Sequence, residues 1–316
     1  MIKSQDVVSL VGNTPLIKLK KASEITGCNI YGKAEFLNPG QSIKDRAALN
    51  MILNSSGESK LIVEGTGGNT GIGLTVIGNA LGYKSKIVMP NNQSKEKIAL
   101  LKNLGAEVIL TKQLPYTDPN NYIQLAKKIA LEEKAIWTNQ FDNLANREAH
   151  IKTTSQEIWK QTDGKIDAFI CSIGTGGTLA GNCIGLKEKN KNIKVYCADP
   201  YGSGMYSWIR KGVPKAALTS ITEGIGQSRI TKNLEGVSFD GAYKIHDKAA
   251  LDIIFDLITE EGLFLGPTSG INIGGAIKLA KSIGPNKNIV TVLCDGAERY
   301  ASKIFNINYL KKKGLK

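Results

Sequence analysis

Lys44, in the stretch FLNPGQSIKDRAALNMI (residues 36–52), stands where a glycine-containing loop runs into amphipathic helical periodicity. A lysine amine becomes a nucleophile when desolvation or neighbouring cations lower its pKa; otherwise it is a solvated surface group, and the rest of the chain must decide between the two. The first glycine cluster, EGTGGNTG (residues 64–71), follows a β-branched run and precedes a helical pattern. Its glycines, with Thr66, Asn69 and Thr70, can wrap N–H groups and hydroxyls around a carboxylate or phosphate at a helix N-terminus, or can simply form a tight turn with a capping threonine. A second cluster, SIGTGGTLAG (residues 172–181), again lets backbone approach an anion, with Thr175 and Thr178 as hydroxyl donors. Gly174-x-Gly176 with Asp199 at the end of the next strand loosely matches a dinucleotide fingerprint. The third glycine of that pattern belongs at position 179, which is Leu179, so a phosphate cup for a smaller ligand is the better reading.

A third segment, LGPTSGINIGGAIKLA (residues 265–280), puts Thr268 and Ser269 at a helix start. Hydroxyls there are helix caps or donors aimed at a heteroaromatic nitrogen. Gln140, in TNQFDN, adds an amide. A lysine facing a phosphate cup points to a Schiff base with pyridoxal phosphate. Metal catalysis is disfavoured, because the only histidines, His150 and His246, show no clustered ligand pattern and read as surface or helix-packing residues.

The elements that must position these groups are β-branched runs starting at Leu61, Lys86, Glu107, Asp167, Lys194 and Asn288, separated by segments such as SKEKIALLKNLGA, with Ser94 placed to cap the first turn. Strands alternating with helices predict an α/β fold of doubly wound, mostly parallel sheets. Ligands of such sheets bind beyond the strand C-termini, where the glycines are concentrated. The spacing predicts two lobes sharing a cleft: a smaller one over residues 40–145, and a larger one made of residues 1–39 and 146–316.

The 316 residues carry 41% hydrophobic and 22% charged residues, which describes a globular protein with a substantial core. The formal net charge of +13 is spread over helical faces apart from the tail LKKKGLK, so it reads as a lysine-rich surface and not as a nucleic-acid site. There is no apolar run of about 18 residues, and MIKSQDVVSLVGNTPL lacks the layout of a signal peptide; the expectation is a cytoplasmic protein with no membrane contact. Cys28, Cys171, Cys183, Cys197 and Cys294 form no CxxC pair, and three of them lie in strand-like runs. They read as small buried hydrophobes.

The ordered motifs VGNTPL, NPGQSIKDRAA, EGTGGNTGI, NQFDN, TGGT, ADPYGS, EGIG and PTSG together resemble the cysteine synthase (O-acetylserine sulfhydrylase) family of fold-type II pyridoxal-phosphate enzymes, which includes cystathionine β-synthase. The resemblance runs nearly end to end. It implies a tryptophan-synthase-β-like fold with the cofactor in the interlobe cleft and Lys44 as the Schiff-base lysine that also moves the Cα proton. It places Asn69 on the cofactor's phenolic oxygen, Gly174, Thr175, Gly176, Gly177 and Thr178 around its phosphate, and Thr268 on its pyridine nitrogen. Thr66, Gly67, Asn69, Thr70 and Gln140 would hold the substrate carboxylate, and Gly224 would line the cleft. A hydroxyl partner leaves the ring a moderate electron sink, suited to β-replacement through an aminoacrylate. The implied reaction joins O-acetyl-L-serine and sulfide into L-cysteine and acetate. The implied partners are a second copy, as a homodimer, and a serine acetyltransferase.

Three departures accompany the resemblance. Gly67 stands where the family loop TSGNTG has serine, Gln41 where NPGGS has glycine, and Thr268 where many members have serine. Alternatives are cystathionine β-synthase-type condensation, O-phosphoserine as the donor, a non-catalytic regulator that binds a partner's peptide carboxylate in the cleft, and a nicotinamide dehydrogenase.

Overall fold

The computed structural model describes residues 6–216 and 219–316; the first five residues of the N-terminal stretch read above lie outside them. Ten strands occur among these residues: β1 (Leu16–Lys18), β2 (Asn29–Ala34), β3 (Leu61–Gly65), β4 (Lys84–Pro90), β5 (Glu107–Thr111), β6 (Ile136–Trp137), β7 (Ala168–Cys171), β8 (Lys194–Pro200), β9 (Gly241–Ile245) and β10 (Asn288–Leu293). They form a six-stranded sheet, in the order β1-β2-β10-β7-β8-β9, and a four-stranded sheet, in the order β5-β4-β3-β6. Every pairing is parallel except β1 with β2. Helices cover both faces of each sheet, which is why strands such as β7 are buried along their whole length.

On one face of the larger sheet, Ile271, Ala276 and Leu279 of the helix Pro267–Ile283 pack against Ile170, Ala198 and Ile289. On the other, Leu179, Ala180 and Leu186 of the helix Gly177–Lys189 meet Phe169, Val195 and Val290. In the smaller sheet, Ala47, Ala48, Met51 and Ile52 make a single buried face on the helix Lys44–Leu53, which packs with Leu74 and Ile77 of the helix Asn69–Ala80. The helix that begins with Lys44 is therefore part of a core, and its first residue is aimed by that packing.

Two sequence expectations are corrected. Ser94 occupies the N-cap position of the helix Lys95–Asn103, but its buried hydroxyl makes no cap bond. Asn121 and Asn306, each capping a later helix, make that bond through their side chains. Cys294 lies just beyond β10, half-buried on the cleft wall and not inside a strand. Among the described residues, no helix is long and apolar enough to cross a membrane.

Candidate active site

A buried ionic cluster fixes the start of the helix Lys44–Leu53. Arg46 donates to both carboxylate oxygens of Glu35, at 2.7 and 2.8 Å, and to Glu157 at 2.6 and 2.7 Å. Although burial opposes it, the guanidinium holds the Glu35 carboxyl at about 2, so the pair stays ionised. Lys33, fully buried in β2, donates to Glu157 at 2.6 Å. Two residues from this clamp, Lys44 lines the cleft half-buried, and its Nζ has no hydrogen-bond or ion-pair partner among the described residues.

The loop after β3 gives the first anion site. Gly67, Asn69 and Thr70 have backbone N–H groups without an acceptor among the described residues, while the Gly68 N–H is taken by Thr66 Oγ1 at 3.0 Å. Thr70 Oγ1 donates to Gln140 Oε1 at 2.5 Å, and Gln140 Nε2 donates to the Gly65 carbonyl at 2.9 Å. Gln140 is thereby fixed with one amide hydrogen to spare. Beneath it lies Glu64, whose carboxyl burial pushes up to about 7 against donation from Thr138 and Gln140.

The second site is the turn after β7. None of the backbone N–H groups of residues 174–178 has an acceptor among the described residues. Gly176 sits at φ +89° and a Cβ on Gly174 would lie 2.4 Å from the Gly224 carbonyl, so a side chain at either would displace the turn. Asn146 Nδ2 bridges the Gln140 carbonyl and Thr175 Oγ1, each at 2.8 Å, joining the turn that carries Gln140 to the second anion loop. Since Thr175 accepts there, its own hydroxyl proton is free for a ligand. Thr178 Oγ1 lies 3.2 Å from His150 Nε2. His150 is buried between helices, where desolvation and the nearby Arg46 push it down to about 3. The ring is neutral and serves to orient Thr178. His246 is exposed and stacks on Tyr201.

Thr268, at the start of the helix Pro267–Ile283, is buried on the cleft wall, and its hydroxyl has no partner among the described residues. Asn69 is held from both ends: its Nδ2 donates to Asp295 Oδ2 at 2.6 Å, and its Oδ1 accepts from Arg299 at 2.8 Å. One hydrogen on Nδ2 is left over.

Of the residues singled out in the sequence, Lys44, Thr66, Gly67, Asn69, Thr70, Gln140, Gly174, Thr175, Gly176, Thr178, Gly224 and Thr268 line one cleft of about 1330 Å³ between the two sheets. Gly177 does not: it opens its helix against Asn146, whose Oδ1 would lie 2.1 Å from a Cβ there. The free N–H groups, the unpartnered amine and the unpartnered hydroxyl match the phosphate, aldehyde and ring nitrogen of pyridoxal phosphate, and the glycine cradle has room for the phosphate. The dinucleotide alternative loses its acid, because Asp199 is buried, paired with Lys244 at 2.8 Å and accepting from the Tyr206 N–H. The sequence reading missed Asp295, Arg299, Arg46 and Asn146. Asp295 and Arg299 follow directly on β10, so the rule that sites gather at strand C-termini was the signal that could have found them.

The model of the pyridoxal-phosphate dependent enzyme family matches residues 7–295. Cysteine synthase 1 of Emericella nidulans is 48% identical over 97% of this chain and 86% of its own length. The crystal structure of a hydrogen sulfide-producing enzyme from Fusobacterium nucleatum superposes with a TM-score of 0.84 at 36% identity, covering 95% of this chain and 100% of that one. An O-acetylserine dependent cystathionine beta-synthase from Helicobacter pylori gives a TM-score of 0.86 at 29% identity, covering 96% and 99%.

Proposed function

The chain belongs to the pyridoxal-phosphate dependent enzymes, and from that membership we propose that it converts O-acetyl-L-serine and sulfide to L-cysteine and acetate. The supporting observation is the convergence on one cleft of two anion loops with Asn146 tying Gln140 to the second, and of a lysine and a Thr268 hydroxyl that have no partner among the described residues. When bound, pyridoxal phosphate withdraws electrons from Cα of the amino acid and so permits the group on Cβ to leave.

Each residue has a distinct task in this reading. The N–H groups of residues 174–178, with Thr175 and Thr178, would hold the cofactor's phosphate, the Thr268 hydroxyl would donate to its ring nitrogen, and Asn69 would donate to its phenolic oxygen. Lys44 would hold the cofactor through its Nζ and, once the substrate amine has taken its place, would take and return the proton on Cα. Thr66, Thr70, Gln140 and the free N–H groups of the first loop hold the substrate carboxylate. Glu64, neutral below about pH 7, keeps negative charge away from that carboxylate.

A homodimer and docking of a serine acetyltransferase belong to the same proposal, and sedimentation of the purified protein alone and with that enzyme tests both. The reaction is tested by following cysteine formation from O-acetyl-L-serine and sulfide. Lys44→Ala should abolish it. Turnover only with homocysteine as the nucleophile, or only with O-phosphoserine as the donor, would overturn the substrate assignment.

A further inference from the structure

Gln93 lies between β4 and the helix Lys95–Asn103, on the cleft wall. Its Oε1 is shielded from solvent and has no hydrogen-bond partner among the described residues. The atom faces Gly67: a Cβ built on Gly67 would meet Gln93 Oε1 at 3.3 Å and Gln93 Cδ at 3.9 Å, with nothing else within 4 Å. Apart from Gly67's own chain neighbours, the Gln93 amide is the nearest described group to the space left by the missing side chain.

A buried amide atom without a partner is costly, and a polar ligand relieves it. Gln93 Nε2 now donates to Asn92 Oδ1 at 2.9 Å. The two ends of an amide are nearly the same shape, and Asn92 is exposed. Turning both amides over together keeps the bond between them with donor and acceptor exchanged, and brings Nε2 to face Gly67.

We propose that Gln93 is a substrate-binding residue whose Nε2 donates to the substrate carboxylate, replacing the hydroxyl that Gly67 lacks, so that positions 67 and 93 together set recognition of the α-carboxylate. This rests on reading the loop of residues 66–70 as the carboxylate site. The rest of that site supplies backbone N–H groups, the Thr66 hydroxyl and the Gln140 amide; the Thr70 hydroxyl proton is already given to Gln140. The Gln93 amide borders the place where a side chain at position 67 would stand, which is why a side chain at 67 and the amide at 93 are exchangeable sources of one donor.

The test compares Gln93→Met, Gln93→Glu and Gln93→Met with Gly67→Ser, each loaded with cofactor. A hydrogen bond to a charged group corresponds to a loss of about ten- to a hundredfold. Gln93→Met should raise KM for O-acetyl-L-serine by that factor with kcat within about twofold, and the dissociation constant for L-cysteine, read by titration calorimetry, should rise in parallel. Gln93→Glu, which sets a carboxylate against the substrate's, should raise both further. Gly67→Ser in the Gln93→Met background should recover most of the loss, which a packing role for Gln93 would not allow. Unchanged KM in both single variants, or no recovery by Gly67→Ser, overturns the proposal. If the unaltered enzyme forms no cysteine from O-acetyl-L-serine, it is the underlying reading that fails; normal turnover with an indifferent Gln93 removes only this inference.

Discussion

The side-chain nitrogen of Asn69 stands 2.6 Å from Asp295 Oδ2, and the Tyr300 hydroxyl donates to the same oxygen, also at 2.6 Å. Asp295 is thus a shared acceptor that fixes which way the Asn69 amide faces, and Arg299 holds the other end. Asp295→Ala removes the acceptor that both donors share, and an unmatched buried donor costs about 1–3 kcal/mol. The expected outcome is a loss of that size in urea unfolding, with weaker retention of pyridoxal phosphate in equilibrium dialysis. Retention equal to that of the unaltered protein would show that Asn69 needs no such support.

Arg46 ties the helix Lys44–Leu53 to Glu35 and Glu157. Removing one partner of a buried ion pair leaves an uncompensated charge and typically costs about 3–5 kcal/mol. Arg46→Met should therefore lower stability by roughly that amount in denaturant titration. The double variant Arg46→Met with Glu35→Gln, which leaves no lone carboxylate at position 35, should recover part of the loss.

Stability should depend on pH with opposite signs at two places. The Glu64 and Asp45 carboxyls are raised by burial from 4.5 and 3.8 to about 7, so the folded state keeps protons that the unfolded chain releases. Their stabilisation is fully present below about pH 4 and is lost as pH rises to about 7. Glu35, held at about 2 although burial opposes ionisation, stabilises above its ordinary 4.5 and loses this as pH falls towards 2. Melting temperature should fall between about pH 5 and 7.5, and Glu64→Gln should reduce that fall. A fall of undiminished size in the variant would exclude Glu64 as its source.

Gln41 adopts φ +58°, the left-handed region that costs a non-glycine residue about 1–2 kcal/mol. It is exposed, so its side chain contributes little packing in return. Gln41→Gly should raise stability by about 0.5–1 kcal/mol after the entropy of the added glycine is counted. A lower melting temperature would mean that the side chain makes a contact worth more than the strain.

The long parallel strands were legible because β3, β4, β5, β7, β8 and β10 carry apolar, mostly β-branched runs. β6 is two residues long and has no period to read. β2 contains Gly32, where a Cβ would meet the Leu293 side chain at 2.6 Å, and Lys33, buried through its pairing with Glu157; both reasons lie far away in sequence. The site shows the same division. Lys44, the glycine loops and Thr268 stand out because their residue types are unusual for plain turns. Arg299 acts on Asn69 across 230 residues, and no local pattern announces it. Gln93 reads as an ordinary loop glutamine until the emptiness at Gly67 is seen from the other side.

The pairing of β2 with β10 joins Asn29 to Asn288, so the larger sheet cannot close until β10 has been made. All four strands of the smaller sheet lie within residues 61–137. Made early, with mostly local contacts, that half can be complete while the wall carrying Thr268 is still unsynthesised. Until residues 174–178 are made, Lys44 would have no phosphate cup opposite it, and the wall that carries the cup is complete only when β10 enters between β2 and β7. Synthesis order thereby delays cofactor capture until both walls are present.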